Sequence, residues 1–195
     1  MAKIGLSKPY YAIYDVEENV VSYSSGGLLG KYTELSIELE GGDSNILYAD
    51  DAPAESDKTF AGGTATVTTD DLLAAVMLPV LGLKSEPISD SVTPDAAWLV
   101  FDDDQEIPYV GIGGVIKKKV SGKTKYVGFV LDKVQFANPG VSAVTQGETI
   151  EWQTHTLTAD IMRSDKEKHP WYRMTTELES AAEAEAAVKA YLAIT

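Results

Sequence analysis

Between residues 32 and 40, Leu35, Ile37 and Leu39 fall on one side of an extended chain and Glu34, Ser36, Glu38 and Glu40 on the other. Successive side chains of a strand point to opposite faces, so this period of two predicts a half-buried β-strand. Gly41-Gly42-Asp43 follows with turn chemistry, and residues 45–49 are expected to return as the paired strand. Upstream, residues 10–15 and 20–23 flank a polar turn at Glu17-Glu18-Asn19, and residues 64–68 alternate again with Ala65 and Val67 on one face. Trp98-Leu99-Val100-Phe101 is apolar at every position, which predicts a strand covered on both sides and places Trp98 in the interior. Residues 108–120 and 125–136 predict a long hairpin around Ser121-Gly122, and residues 149–162 a further Thr-rich strand containing Trp152. The expectation is a mainly β protein of roughly eight strands.

Two segments break the alternation. Thr68 and Asp71 have the spacing of a capping box ahead of an apolar stripe at Leu72, Val76 and Val80 or Leu83, with Pro79 expected to kink or end that helix. Near the C-terminus, Thr176 and Glu179 repeat the spacing and predict a helix over about residues 177–193. Its stripe of Leu178, Ala181, Val188, Tyr191 and Leu192 should dock, since burying each large side chain contributes about 1.5–3 kcal/mol. Residues 50–60 are acidic and contain Pro53, which predicts a surface loop that orders against a neighbour. There is no internal repeat or low-complexity tract.

At 195 residues and 44% hydrophobic content the chain fits a single domain with a sizeable core. Without cysteine it has no disulfide, thiol nucleophile or thiolate metal site. The longest apolar run, residues 72–83, is far below the about 20 residues of a membrane span, and the start of the chain lacks a signal-peptide apolar region. Synthesis in the cytoplasm is expected. A net charge of −14 disfavours general binding to nucleic acid or to anionic lipid.

That charge is unevenly spread. Before Ile107, five Lys or Arg stand against twenty Asp or Glu; from Ile107 onward the count is eleven against ten. Lys117, Lys118, Lys119, Lys123, Lys125 and Lys133 all fall in the predicted hairpin and its continuation, with Arg163 further on. If Ser121-Gly122 is a two-residue turn, Lys118 lies across from Lys125, and like charges directly opposite destabilise a hairpin. Edge strands also carry Lys simply to prevent pairing. Contact with an acidic partner is the preferred reading, and the first half of a second copy has the acids to supply it.

No catalytic chemistry stands out. Gly111-Ile112-Gly113-Gly114 is followed by strand rather than the helix N-terminus a phosphate loop needs, so its glycines are read as admitting a bulge or a close neighbour. Asp102-Asp103-Asp104-Gln105-Glu106 lacks the alternate spacing and turn glycine of a calcium loop. It reads as a solvated loop, with a weak divalent-ion site shared between subunits left open. His155 and His169 are fourteen residues apart without paired-ligand spacing, and no Gly-x-Ser-x-Gly elbow occurs. Acids are too widespread to single out a catalytic pair. No catalytic, metal-binding or cofactor-binding residue is assigned, and an enzyme is not expected.

The stretches Gly5 to Ala12 (Gly-Leu-Ser-Lys-Pro-Tyr-Tyr-Ala), Gly26-Gly27-Leu28-Leu29-Gly30-Lys31 and Asn45-Ile46-Leu47-Tyr48-Ala49-Asp50 resemble phage major tail proteins. So do Phe60-Ala61-Gly62-Gly63-Thr64, Pro108-Tyr109-Val110-Gly111-Ile112-Gly113-Gly114 and Gln146-Gly147-Glu148-Thr149-Ile150-Glu151-Trp152-Gln153. The likeness, to the tail tube proteins of long-tailed, siphovirus-like phages and prophages of Gram-positive bacteria, runs from Lys3 to Ile194. It implies a β-sandwich or partly closed barrel with a flanking helix, a long hairpin (about 115–131), an N-terminal arm (about 1–10), an extended loop (about 50–60) and a C-terminal helix. It also implies a virion protein without enzymatic activity. Six copies would form a ring, and stacked rings a tube through which DNA passes without specific binding. The tape measure protein would lie inside, with terminator and distal tail proteins at the ends. By position, Lys117, Lys118, Lys119, Lys123 and Lys125 on the hairpin, and Asp50, Asp51, Glu55 and Asp57 on the loop, would make contacts between rings. Three rivals remain: the inner tube of a contractile tail or tailocin, a monomeric β-sandwich that binds carbohydrate through exposed aromatics, and a hydrolase using paired acids.

Overall fold

The computed structural model describes residues 2–18, 20–41, 45–49, 52–57, 59–88, 96–141, 145 and 154–195. The first half holds β1 (Ala2–Glu17), β2 (Val20–Leu28), β3 (Tyr32–Gly41), β4 (Asn45–Ala49), β5 (Ala52–Asp57), β6 (Phe60–Thr69), α1 (Ala74–Leu81), β7 (Lys84–Pro87) and β8 (Ala97–Val100). The second half holds β9 (Tyr109–Val120), β10 (Lys123–Phe136), β11 (His155–Met162), β12 (Tyr172–Met174) and α2 (Ala181–Tyr191). The protein is mainly β, built on one large antiparallel sheet.

That sheet runs β2-β1-β9-β10-β11-β6-β3, with β12 beside β10. β10 is long enough to serve two partners on one edge: Phe129, Val130 and Leu131 pair with β12, and Lys133 to Phe136 pair with β11. β2 and β3 end the path and do not pair with each other, so the sheet does not close into a barrel.

Both faces are covered, for reasons visible in the alternation. Tyr11, Ile112 and Leu131 face one side, where they pack with Ala65, Val67 and Leu157 against Val76, Val80 and Leu81 of α1. Their neighbours Tyr10, Ala12 and Val130 face the other side, against Val188 and Leu192 of α2. Glycines let α2 lie close: a Cβ on Gly113 would stand 2.8 Å from Val188, and one on Gly128 would stand 2.9 Å from the Ala184 carbonyl oxygen. This is the close-neighbour role expected for the glycine run.

Several sequence expectations need correction. Residues 45–49 do not return along β3; β4 pairs with β5, so the expected loop over 50–60 contains a strand. β3 pairs instead with the distant β6, in a register that sets Leu35 beside Val67 and Ile37 beside Ala65. Matching apolar pairs on the core face outweigh proximity in sequence. Trp98 is 65% exposed and Phe101 48% exposed, because among the described residues β8 pairs with the exposed β7 alone and, of its side chains, Leu99 packs on the core. The Thr-rich strand is described over His155–Met162, and its expected start at 149–153, with Trp152, lies outside the described residues.

Both expected capping boxes also move. Thr68 and Thr69 stay in β6, paired on both sides, and α1 begins after Leu73 with no side-chain cap. Pro79 falls inside α1, which stops two residues later where Gly82 takes a left-handed φ of 64°. For α2 the cap is Ser180, whose side chain accepts from the Glu183 N–H, rather than Thr176 with Glu179. Leu178 and Tyr126 exchange backbone hydrogen bonds of 2.8 and 3.0 Å, which holds residue 178 extended and delays the helix.

Candidate assembly surface

Beyond the core, β9 and β10 continue as a finger. Ser121 (φ 48°) and Gly122 (φ 80°) are both left-handed, the geometry of a two-residue turn whose twist suits the flanking strands. The resulting register places Lys118 opposite Lys125, Lys117 opposite Tyr126 and Lys119 opposite Thr124. The first residues of β1 add a third strand, pairing Ala2 with Lys119, Lys3 with Lys118 and Gly5 with Lys117. Lys3, Lys118 and Lys125 therefore form one row across three strands, a juxtaposition hidden by more than a hundred intervening residues.

Only part of this charge is answered within the chain. Lys125 pairs with Glu179. Among the described residues, the remaining ion pairs involve Lys8, Lys31, Lys84, Lys133, Lys166 and Arg173, and none involves Lys3, Lys117, Lys118, Lys119 or Lys123. Lys133 and Arg163 do not belong to the finger. The Lys133 ammonium lies 2.7 Å from Asp165 and over the Tyr109 ring, while Arg163 donates to the Phe60 carbonyl.

Of the acids assigned to the same contacts, Glu55 and Asp57 lie on β5, and Asp50 and Asp51 fall outside the described residues. β4 and β5 form a two-stranded sheet of their own. An isolated hairpin is at best marginally stable in water, so this one gains from any surface it leans on. In the loop before β9, Asp102 accepts from Lys84 at 3.0 Å and from the Asp104 N–H at 3.1 Å. Among the described residues its carboxylates do not converge with others into a metal-sized cluster. His155 is exposed on β11, and Nδ1 of His169 lies 3.0 Å from the Ser164 carbonyl oxygen. Trp171 stacks on Phe60 at 4.3 Å.

A cleft of about 600 Å³ separates the start of β1 from β3. Ile4, Leu6, Leu35, Ile37, Leu39 and Ile116 supply its apolar lining, with Lys3 and Glu34 among the polar groups. Ile4 and Leu39 are each about half exposed, at 50% and 52%. Among the described residues the strands on either side have unpaired edges here: β2 joins β1 only from Tyr10 onward, and β3 pairs with β6 alone.

One polar centre was missed from sequence. Asp132 is fully buried on the α2 side of β10. Its carboxylate accepts from Arg173 Nε at 3.1 and 3.2 Å and from the Tyr191 hydroxyl, with the Lys166 ammonium 3.8 Å away. The Tyr23 hydroxyl donates to its backbone carbonyl at 2.9 Å. Burial, and then the bond to Asp132, raise the Tyr191 hydroxyl pKa. Burial lowers that of Lys166 despite the opposing pull of Asp132. The arrangement ties β2, β10, β12 and α2 together. The available signal was an acid placed directly after the apolar run from Val127 to Leu131, but its partners are 41 and 59 residues away.

No known protein-family model matches the chain, and no curated protein matches it.

Proposed function

We propose that this chain is a structural subunit that self-assembles: the major tail tube protein of a siphovirus-like particle, forming stacked rings around a channel for DNA. The observation that carries this reading is the open sheet: among the described residues β2 and β3 each end it with one free edge, and an apolar cleft lies between β3 and the start of β1. Free strand edges invite pairing with another chain, and a closed ring of copies satisfies every edge at once. Here the edges are long, and the half-exposed Ile4 and Leu39 give the cleft apolar surface to cover, with Lys3 and Glu34 also in its lining. The number six, the tail-tube form of the β-sandwich, the virion location and the accessory tail proteins come from the sequence resemblance. Glu34, Glu38 and Glu40 are exposed along β3. Turned toward a lumen, such a row would repel phosphate and let a polyanion slide without sticking.

Negative-stain microscopy and mass photometry of concentrated purified protein test the proposal. Rings or hollow tubes are expected; a monomer that persists at every concentration and salt overturns it.

A second reading, a carbohydrate-binding module, gains one observation. Trp98 is 65% exposed, and its ring has no aromatic partner among the described residues. Saturable quenching of tryptophan fluorescence by oligosaccharide, lost in Trp98→Ala, would favour that module.

A further inference from the structure

We infer that the lysine finger of one copy docks end-on against a patch of exposed aromatics and carboxylates on the next copy, at the far end of β9. This rests on the self-assembly reading above and gives the assembly its direction.

The surface comprises β8 and the loop that follows it: Trp98 with its cross-strand neighbour Glu86, and then Phe101, Asp103, Asp104 and Glu106. Trp98 and Phe101 are 65% and 48% exposed, more than their size and apolar character favour in water. Glu86 is the cross-strand partner of Trp98, and the acids follow directly after Phe101. All four are exposed, whereas Asp102 is already paired with Lys84. Among the described residues no cation pairs with Glu86, Asp103, Asp104 or Glu106, so this end offers negative charge beside exposed aromatic surface.

Its place is set by β9 and β10. Gln105 is bonded to Asn138, just past the end of β10, at 2.9 Å, and to the Leu81 carbonyl at 2.7 Å. Gln135 donates to the Ile107 carbonyl at 2.9 Å. The acidic loop is therefore fastened where β9 begins, and the Ser121-Gly122 turn lies where it ends. The twelve residues of β9 separate the two by about 36 Å at about 3.3 Å per residue. That is several Debye lengths at physiological salt, so a finger and the patch of its own copy barely sense each other.

Complementary surfaces at opposite ends of a rigid strand meet only between copies, and the contact is head-to-tail. Such a contact does not close on itself and propagates along one axis. Like ends repel, which excludes tail-to-tail pairing. The charges would steer and orient the encounter, and the aromatics would supply most of the burial. Val120 and Tyr126, both only partly buried, give the finger apolar surface of its own. The β4–β5 hairpin is a different element. It is inserted between the end of β3 and the start of β6, which by strand direction is the finger's side of the sheet.

Two charge-reversed variants test this: Lys117→Glu/Lys118→Glu/Lys119→Glu, and Glu86→Lys/Asp103→Lys/Asp104→Lys. Stacking is read by sedimentation velocity and microscopy, ring formation by mass photometry, and the fold by circular dichroism. Each variant alone should form rings but stack at least about tenfold more slowly than wild type. An equimolar mixture of the two kinds of ring should recover tubes of alternating composition, because the reversed finger of one variant meets the reversed patch of the other and the two unreversed surfaces also match. Trp98→Ala, which alters no charge, should shorten tubes as well. Tubes of normal length and rate from the patch variant overturn the inference and leave the self-assembly proposal standing. A wild-type protein that never leaves the monomer overturns both.

Discussion

Lys118 lies directly opposite Lys125 in the β9–β10 hairpin, and of the two only Lys125 has a carboxylate beside it, that of Glu179. With Lys3 on its other side, Lys118 is flanked by like charge on both neighbouring strands. Lys118→Glu should therefore stabilise the isolated subunit by about 0.5 kcal/mol, within the range measured for cross-strand charge pairs. The same change should weaken assembly. Urea unfolding of the dilute protein and sedimentation of the concentrated protein separate the two effects, and a change that weakened both would argue against strain in the lysine row.

The glycines under α2 should not tolerate a side chain. A Cβ at Gly113 would meet the Phe129 carbonyl oxygen and the Val188 side chain, each at 2.8 Å. Gly113→Ala is expected to lift α2 and destabilise the fold by about 1–3 kcal/mol, the usual cost of overpacking. Proteolysis should cut the C-terminal helix first. Gly122→Ala has nothing within 4 Å to strike, but its φ of 80° disfavours a side chain, so only the turn should loosen.

Loss of the buried carboxylate should be more severe. Asp132→Ala leaves Arg173 and Lys166 without their shared counter-ion, at a cost of about 3 kcal/mol, the low end of the range because both cations keep some water. Tyr191→Phe removes one hydrogen bond to the same group and should cost about 1 kcal/mol. Chemical denaturation of the two variants measures the difference.

Acid should weaken the attachment of α2 to β1. The Tyr10 hydroxyl, followed by Lys8, holds Glu185 below its ordinary pKa, while the hydrogen bond from Lys133 does most to lower Asp165. A carboxyl depressed in the folded state contributes stability that is complete above its unfolded pKa and is lost as pH falls through its folded pKa. Urea midpoints should thus hold steady near neutrality and decline below about pH 4. Glu185→Gln should make that decline shallower. In the same contact, burial and Glu185 push the Tyr10 hydroxyl up to about 12, so it should ionise late in an ultraviolet titration.

The start of α2 discriminates between two Ser/Thr-x-x-Glu sites. Ser180→Ala should lose about 1 kcal/mol and some helical ellipticity, because the Ser180 side chain accepts from the Glu183 N–H. Thr176→Ala should leave the helix signal unchanged.

The alternation of residues 32–40 and 64–68, together with the Ser121-Gly122 turn, determined strands, faces and the Lys118–Lys125 register from the sequence by itself. These features are local, since a period of two and a two-residue turn need no distant partner. The lysine cluster was legible for the same reason. Tertiary structure decided what depends on which segments meet. β3 took β6 rather than its neighbour β4 because only that pairing aligns Leu35 and Ile37 with Val67 and Ala65 on the core face. Thr176 and Ser180 have equivalent capping patterns, and the Tyr126–Leu178 hydrogen bonds favoured the second. Trp98 sits in a run apolar enough for an interior strand, yet it is exposed because, among the described residues, β8 pairs with β7 alone. Hydrophobicity records what a segment can bury, whereas burial itself depends on the elements that reach it. The row of Lys3, Lys118 and Lys125 and the buried centre at Asp132 are likewise products of non-local pairing.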